Sequence, residues 1–346
     1  MHCFFRRALP LLLAAALLFS GCARQASPSA PDTPEPAAAQ AGDAIPETDT
    51  EALPFDYTFN PHVISKAYLK AYGPEIEPIF YGFCDAVLSG EDSFPCPSVE
   101  TYHRLLTIAG VCLPVASHCI DKDRIRVENG TGWIPYTMEH DELMRTLCSF
   151  EDRVTAVMTS AVPYREEDFL IAAELLTAVA RKDSVDEAAL SLDFALSLMP
   201  YRAIMENKGI CQEIAGEYIY YLLQAGIDAT TCSALSRDRE SAHMWALVEL
   251  GGRYYHVDPM FTIEYPDSLA FFGLNDEMRS QYGDFPVENF SYAESDALHR
   301  EDYSADSERF KPLWRAESYK IDRGERKLLL SLFDVYAPET GDEFSY

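Results

Sequence analysis

Three residues able to carry nucleophilic catalysis follow one another in the second half of this chain: Cys211 in "KGICQEIAGEYIYYLLQAGI", His243 in "AHMWALVEL" and Asp258 in "RYYHVDPMF". A thiol attacks as its thiolate, which the positive end of a helix dipole favours and a neighbouring imidazole stabilises by taking the proton. Cys211 stands in the first turn of an apolar-faced helix, where Ser, Asp or Thr would cap better. Stability does not explain it there. With His243 as base and then acid, and Asp258 orienting the imidazole, the set can attack an amide or ester carbonyl. A backbone N–H at the start of the same helix can stabilise the oxyanion.

Whether these groups meet is a question of register. Gly251-Gly252 separates two strand-like runs and marks a two-residue hairpin. In that loop Leu250 opposes Arg253, Trp245 opposes Asp258 and His243 opposes Met260. His243 and Asp258 are then diagonal neighbours on one face, about 7 to 8 Å apart at the backbone. A three-residue loop would point them to opposite faces.

The elements that must hold them are legible in outline. A helix from Cys211 to Ala225 carries Ile214, Ala215, Tyr218, Leu222 and Leu223 on one stripe and stops at Gly226. The run "IDATTCSAL" precedes the hairpin as another strand. Upstream, "NPHVISKAYLKAYG" reads as a helix capped by Asn60 and ended by Gly73, and "PEIEPIFYGFCDAVLSG" and "PSVETYHRLLTIAG" repeat that punctuation. "RIRVENGTGWIPYTM" is a hairpin turning at Asn129-Gly130; "DELMRTLCSFEDRVTAVMTSAV", "EEDFLIAAELLTAVAR" and "VDEAALSLDFALSLM" return to helical spacing. "SYKIDRGERKLLLSLFDV", near the end, reads as a closing hairpin or extra strands.

In this order and spacing, "KGICQEIAGEYIYYLLQAGIDAT", "AHMWALVEL" and "GRYYHVDPMF" resemble the transglutaminase-like family, with its Gly-x-Cys at a helix start, His-x-Trp strand and Tyr-x-x-Asp-Pro strand. The resemblance implies an α+β fold with a papain-like core, in which the cysteine helix packs on an antiparallel sheet, here preceded by a mostly helical extension. It also implies a cysteine-nucleophile hydrolase or acyltransferase with Cys211, His243 and Asp258 as its triad, acting on peptide or protein amides without a cofactor or metal. Met244 and Ala246 flank Trp245, and Met260-Phe261 follows Pro259 where the family has Thr-Trp. The acyl acceptor and cleft shape are therefore left open. Gln212 and Tyr201 are the oxyanion candidates; Gly209, Trp245 and Tyr255 are candidates for the cleft wall, Gly209 because it lets the chain approach what is attacked. His256, between a tyrosine and a valine, reads as structural. A non-catalytic module binding peptide or cell-wall strands on the same fold is the alternative reading.

The start of the chain addresses it rather than folding it. Arg6 and Arg7, the apolar run from Ala8 to Phe19, and Ser20-Gly21 before Cys22 have the anatomy of an export leader and resemble a bacterial lipoprotein signal, in which Cys22 is acylated. Acyl chains there would anchor the protein to the outer face of the cell membrane. The Pro-, Ala- and acid-rich stretch that follows has little to bury and reads as a disordered tether. The expected organisation is a leader over 1–21, a tether over 22–55, a mostly helical region over 56–165, the core over 166–290 and an extension over 291–346.

Composition sets the outer bounds. With 28 basic against 56 acidic residues, the net charge of -28 repels phosphate backbones and excludes a nucleic-acid partner. A hydrophobic share of 48% suffices for a packed core. Beyond Cys22, an exported chain can pair Cys84, Cys96, Cys112, Cys119, Cys148 and Cys232 in up to three bridges with Cys211 left free, the pairing itself being open. "CLPVASHC" lacks the spacing of a structural zinc site.

Overall fold

The computed structural model describes residues 54–189, 199–333 and 342–346. The leader, Cys22 and nearly all of the tether lie outside the described residues, as does most of the helix expected over "VDEAALSLDFALSLM".

The first half is helical: α1 (Lys66–Tyr72), α2 (Ile76–Leu88), α3 (Val99–Cys112), α4 (Pro114–Cys119), α5 (His140–Ala161) and α6 (Asp168–Lys182). Helix α1 begins later than the Asn60 cap implies, because Ser65 accepts the Ala67 N–H while Asn60 is tied up as an Asx turn to His62. Gly73 ends it at φ 89°. Helix α3 does not stop at Gly110, which is buried inside it, but runs on to Cys112 before Pro114 starts α4. Among these helices, β1 (Ser93–Pro95), β2 (Arg126–Glu128) and β3 (Thr131–Trp133) form a small antiparallel sheet in the order β1-β3-β2. Asn129 and Gly130 make the β2–β3 turn with φ of 51° and 79°.

The second half places the reactive residues. Short strands β4 (Ser184–Val185) and β5 (Lys208–Gly209) pair in parallel around α7 (Pro200–Glu206), and β5 leads directly into α8 (Cys211–Gln224). Then come β6 (Ala229–Leu235), β7 (Ala242–Leu250), β8 (Arg253–Val257), the single turn α9 (Pro259–Thr262), α10 (Asp276–Gln281) and β9 (Ser291–Tyr292). The sheet order is β8-β7-β6-β9, antiparallel at every pairing. Strands β10 (Ala316–Asp322), β11 (Lys327–Leu332) and β12 (Asp342–Ser345) close the chain as an antiparallel sheet in sequence order. The fold is therefore mixed α+β.

Helix α8 departs from the amphipathic stripe that its spacing predicts. Every residue from Glu213 to Gln224 is buried, because α7, α3 and α6 cover the faces that the sheet does not. It is the axis of the core rather than a cover for it. One buried hydrophobic cluster runs from Val63 to Phe344 and takes in side chains from both the helical half and the sheets of the second half. Among the described residues no helix is long and apolar enough to cross a membrane.

Candidate active site

The hairpin fixes the frame of the site. Gly251 and Gly252 occupy the left-handed region at φ 61° and 74°, the two-residue turn that matches strand twist. Leu250 pairs with Arg253 and Ala246 with Val257, as the two-residue loop requires. The ladder ends there. Asp258 leaves the strand at the next residue and caps α9, its Oδ1 accepting the Phe261 N–H at 3.1 Å. His243 therefore has no partner strand at Met260, but it still lies diagonal to Asp258.

That diagonal closes into a hydrogen bond. His243 Nε2 lies 2.7 Å from Asp258 Oδ2, with both side chains buried. An ionised carboxylate only accepts, so Nε2 carries the proton and Nδ1 is left for the thiol of Cys211, with which the imidazole is also hydrogen-bonded. Burial pulls His243 toward the neutral ring, but the Asp258 charge and hydrogen bond and then Cys211 outweigh it, and its pKa is pushed up to about 9. Burial raises Asp258 in turn, yet His243, Arg279 and the Phe261 N–H more than reverse this and hold it below its ordinary value. Phe261 and Phe285 stack on the ring, with centroids 4.7 and 5.7 Å away. The His243 ring thus joins the Asp258 carboxylate to the Cys211 thiol and is itself stacked between aromatic side chains.

Cys211 is the first residue of α8 and is half-buried. Ile210 occupies the cap position and has no side-chain acceptor, so Glu213 supplies the reciprocal half of a capping box and accepts the Ile210 N–H at 3.0 Å. Glu213 is buried beside the dipole's positive end and is neutralised by Arg202, whose Nε donates to it at 2.8 Å and whose Nη1 donates to Asp186 at 2.6 Å. This clamp joins α7, the β4 segment and the first turn of α8 around the sulfur. The Cys211 N–H, first in the helix, has no intrahelical acceptor by geometry and suits an oxyanion.

The other sequence candidates fall in different places. Gln212 is half-buried at the second position of α8, next to the sulfur. Tyr201 stacks on His118 with centroids 4.1 Å apart and an interplanar angle of 11°, and also on Phe150, so its contacts lie with the first-half helices. Gly209 faces no open cleft: a Cβ there would meet the Cβ atoms of Glu213 and Ala203 at 3.0 and 3.3 Å. Its missing side chain serves close packing of β5 on α7 and α8. Tyr255 opposes Val248 and so lies on the opposite face from Asp258, with its hydroxyl on Ser307 and its ring against Phe310. Trp245 is wholly buried, and its Nε1 donates to His256 Nδ1 at 2.9 Å. That bond makes His256 Nδ1 an acceptor, so Nε2 bears the hydrogen and donates to Asp276 at 2.9 Å. Burial accordingly holds His256 below its ordinary pKa as a neutral ring.

Arg279 belongs to the site although nothing in the sequence singles it out. It is wholly buried, and its Nη2 donates to Asp258 Oδ2 at 2.9 Å. In "NDEMRSQYG" it sits among acids in a short polar helix, which reads as a solvated face; only coordinates bring it under the sheet. The seven cysteines among the described residues are free thiols, and Cys84, Cys96, Cys112, Cys119 and Cys232 are buried as small core residues rather than bridged. Among the described residues no group of three His, Cys, Asp or Glu side chains is arranged to hold a metal ion.

No protein-family model and no curated protein matches the chain. Among solved structures, a candidate cysteine protease from Cytophaga hutchinsonii is similar at 12% identity and a TM-score of 0.26, over 32% of this chain and 37% of that one. A TGase is similar at 11% identity and a TM-score of 0.29, over 39% of this chain and 42% of the other. The chain thus spans less than half the length of either structure. Likeness at this level falls short of a shared fold, and the chemistry rests on the side chains themselves.

Proposed function

We propose that the chain is a cell-surface, lipid-anchored, transglutaminase-like thiol enzyme that acts on peptide or protein amides through an acyl-enzyme. The observation that supports this is the buried His243 ring, hydrogen-bonded to the Asp258 carboxylate on one side and to the Cys211 thiol at a helix N-terminus on the other. In this reading the Cys211 thiolate attacks the carbonyl carbon and the first-turn N–H groups hold the oxyanion. His243 gives its proton to the departing amine as the C–N bond breaks, leaving a thioester. Water or a second amine, deprotonated by the now neutral ring, then attacks the thioester and releases the thiolate. Asp258 keeps the imidazole in one tautomer and offsets its charge. The Arg6–Cys22 segment supports export and acylation at Cys22.

The cysteines provide their own control. Cys148 is exposed and Cys211 half-buried, so access alone favours alkylation of Cys148. The thiol-enzyme reading expects iodoacetamide to modify Cys211 at least about tenfold faster at pH 7, because the reacting species is the thiolate. It also expects His243→Gln to abolish that advantage, and Cys211→Ala to remove all turnover of a peptide amide. Equal or slower labelling of Cys211 would instead favour a module that binds peptide or cell-wall strands without turnover. One observation favours that alternative: His243 is only 3% exposed.

A further inference from the structure

Arg279 has a geometry that a purely structural arginine would not need. Its guanidinium lies over the Trp245 ring with its carbon 3.8 Å from the centroid, and the rings of Phe261 and Phe285 lie 5.5 Å away. Nη1 donates to the Tyr282 carbonyl at 2.9 Å and Nη2 to Asp258 Oδ2 at 2.9 Å, while Nε has no hydrogen-bond partner among the described residues. A buried guanidinium with one donor unspent is costly to keep. Among the described residues its one ion pair is with the oxygen that also accepts the imidazole proton.

We propose that Arg279 is a positioning residue for the Cys211–His243–Asp258 array, its fixed positive charge sharing the Asp258 oxygen with His243 so that the carboxylate cannot hold the imidazole proton too tightly. The inference rests on the thiol-enzyme reading above. Two cations share one carboxylate oxygen at a buried site, where low polarisability strengthens their competition. The guanidinium therefore weakens the hold of Asp258 on the imidazolium, which must surrender its proton to the leaving group, and its charge is also coupled to Cys211. The titratable and charged groups around it are few: Asp258 and His243 beyond it on the β7–β8 side, His256 on β8, Cys232 on β6, Cys211 on α8, and Asp276 and Tyr282 on its own segment. Of these only Asp258 is within ion-pair distance of it.

Removing one positive charge from a coupled array moves both of its proton losses in the same direction. In Arg279→Gln, the rise of Cys211 alkylation with pH and the titration of the His243 ring, followed by NMR, should both move about one unit alkaline. Arg279→Lys, which keeps the charge but loses the planar fork and the indole stack, should leave both midpoints near wild type while slowing plateau alkylation severalfold. A merely structural role would lower the melting temperature and leave both midpoints in place. Folded Arg279→Gln with unmoved midpoints overturns the proposal, and so does folded Arg279→Lys with midpoints displaced by a unit or more; the lysine variant carries the test should the glutamine variant fail to fold. If wild-type Cys211 reacts no faster than Cys148, the thiol-enzyme reading falls, and the displacement of the His243 titration still decides whether Arg279 tunes the ring.

Discussion

At the scale of single residues, the charge state of His243 links chemistry to stability. Its pKa is pushed up to about 9 in the fold, against an ordinary value near 6.5. A raised basic pKa stabilises the folded state fully below the unfolded value, and that contribution is lost as pH climbs through the folded one. Unfolding free energy should therefore fall between pH 6.5 and 9, by about 3 kcal/mol at most, and His243→Gln should flatten this slope in denaturant titrations at successive pH values. Cys211, His243 and Asp258 were legible as a candidate set because their residue types are rare and ordered, and because two glycines fix the register between His243 and Asp258. Arg279 was not, since a charged residue in a polar helix looks the same whether it faces water or a buried carboxylate.

At the scale of elements, α8 is held by what lies against it rather than by its own pattern. Gly216 faces Pro200 so closely that an added Cβ would lie 2.2 Å from the ring carbon Cγ. In an exposed helix interior, glycine to alanine gains about 1 kcal/mol. Here overpacking dominates, and Gly216→Ala is expected to lose about 1–2 kcal/mol by denaturant midpoint. Because Arg202 is two residues from Pro200 on α7, the same change should also slow Cys211 alkylation by loosening the clamp on Glu213. The sequence showed where α8 begins and ends, since Gly226 at φ 82° follows its last turn. It concealed the all-round burial because Glu213, Glu217 and Gln224 read as a wet face, whereas Arg202, Lys182 and Asn60 pair with them inside. The same blindness hid the role of Gly209, where an added Cβ would lie 3.0 Å from the Cβ of Glu213 in another element.

At the scale of the whole molecule, the chain carries a net charge of -28, and its described residues pack around a buried cluster that runs from Val63 to Phe344. Self-repulsion of this size opposes compaction and is relieved as the screening length shrinks from about 30 Å at 0.01 M salt to about 3 Å at 1 M. The melting temperature should therefore rise with sodium chloride across that range in a scanning calorimeter, and a flat or falling trend would show that the acids are already offset by local ion pairs. Mixed α+β character was readable from the switch between helical and alternating spacing. That the helical half packs on the rest was suggested by the lack of a Pro/Ser linker between them; which side chains meet in the shared core was not, because that depends on long-range packing that no local pattern encodes. The aromatic stacking on His243 has a consequence at this same scale. A ring stacked by Phe261 and Phe285 and tied at Nε2 is held in one orientation, so in the thiol-enzyme reading the departing amine and the incoming nucleophile would meet the same face of the imidazole. On that reading, release of the first product would have to precede approach of the second reactant, and a retained amine would compete with water for the thioester.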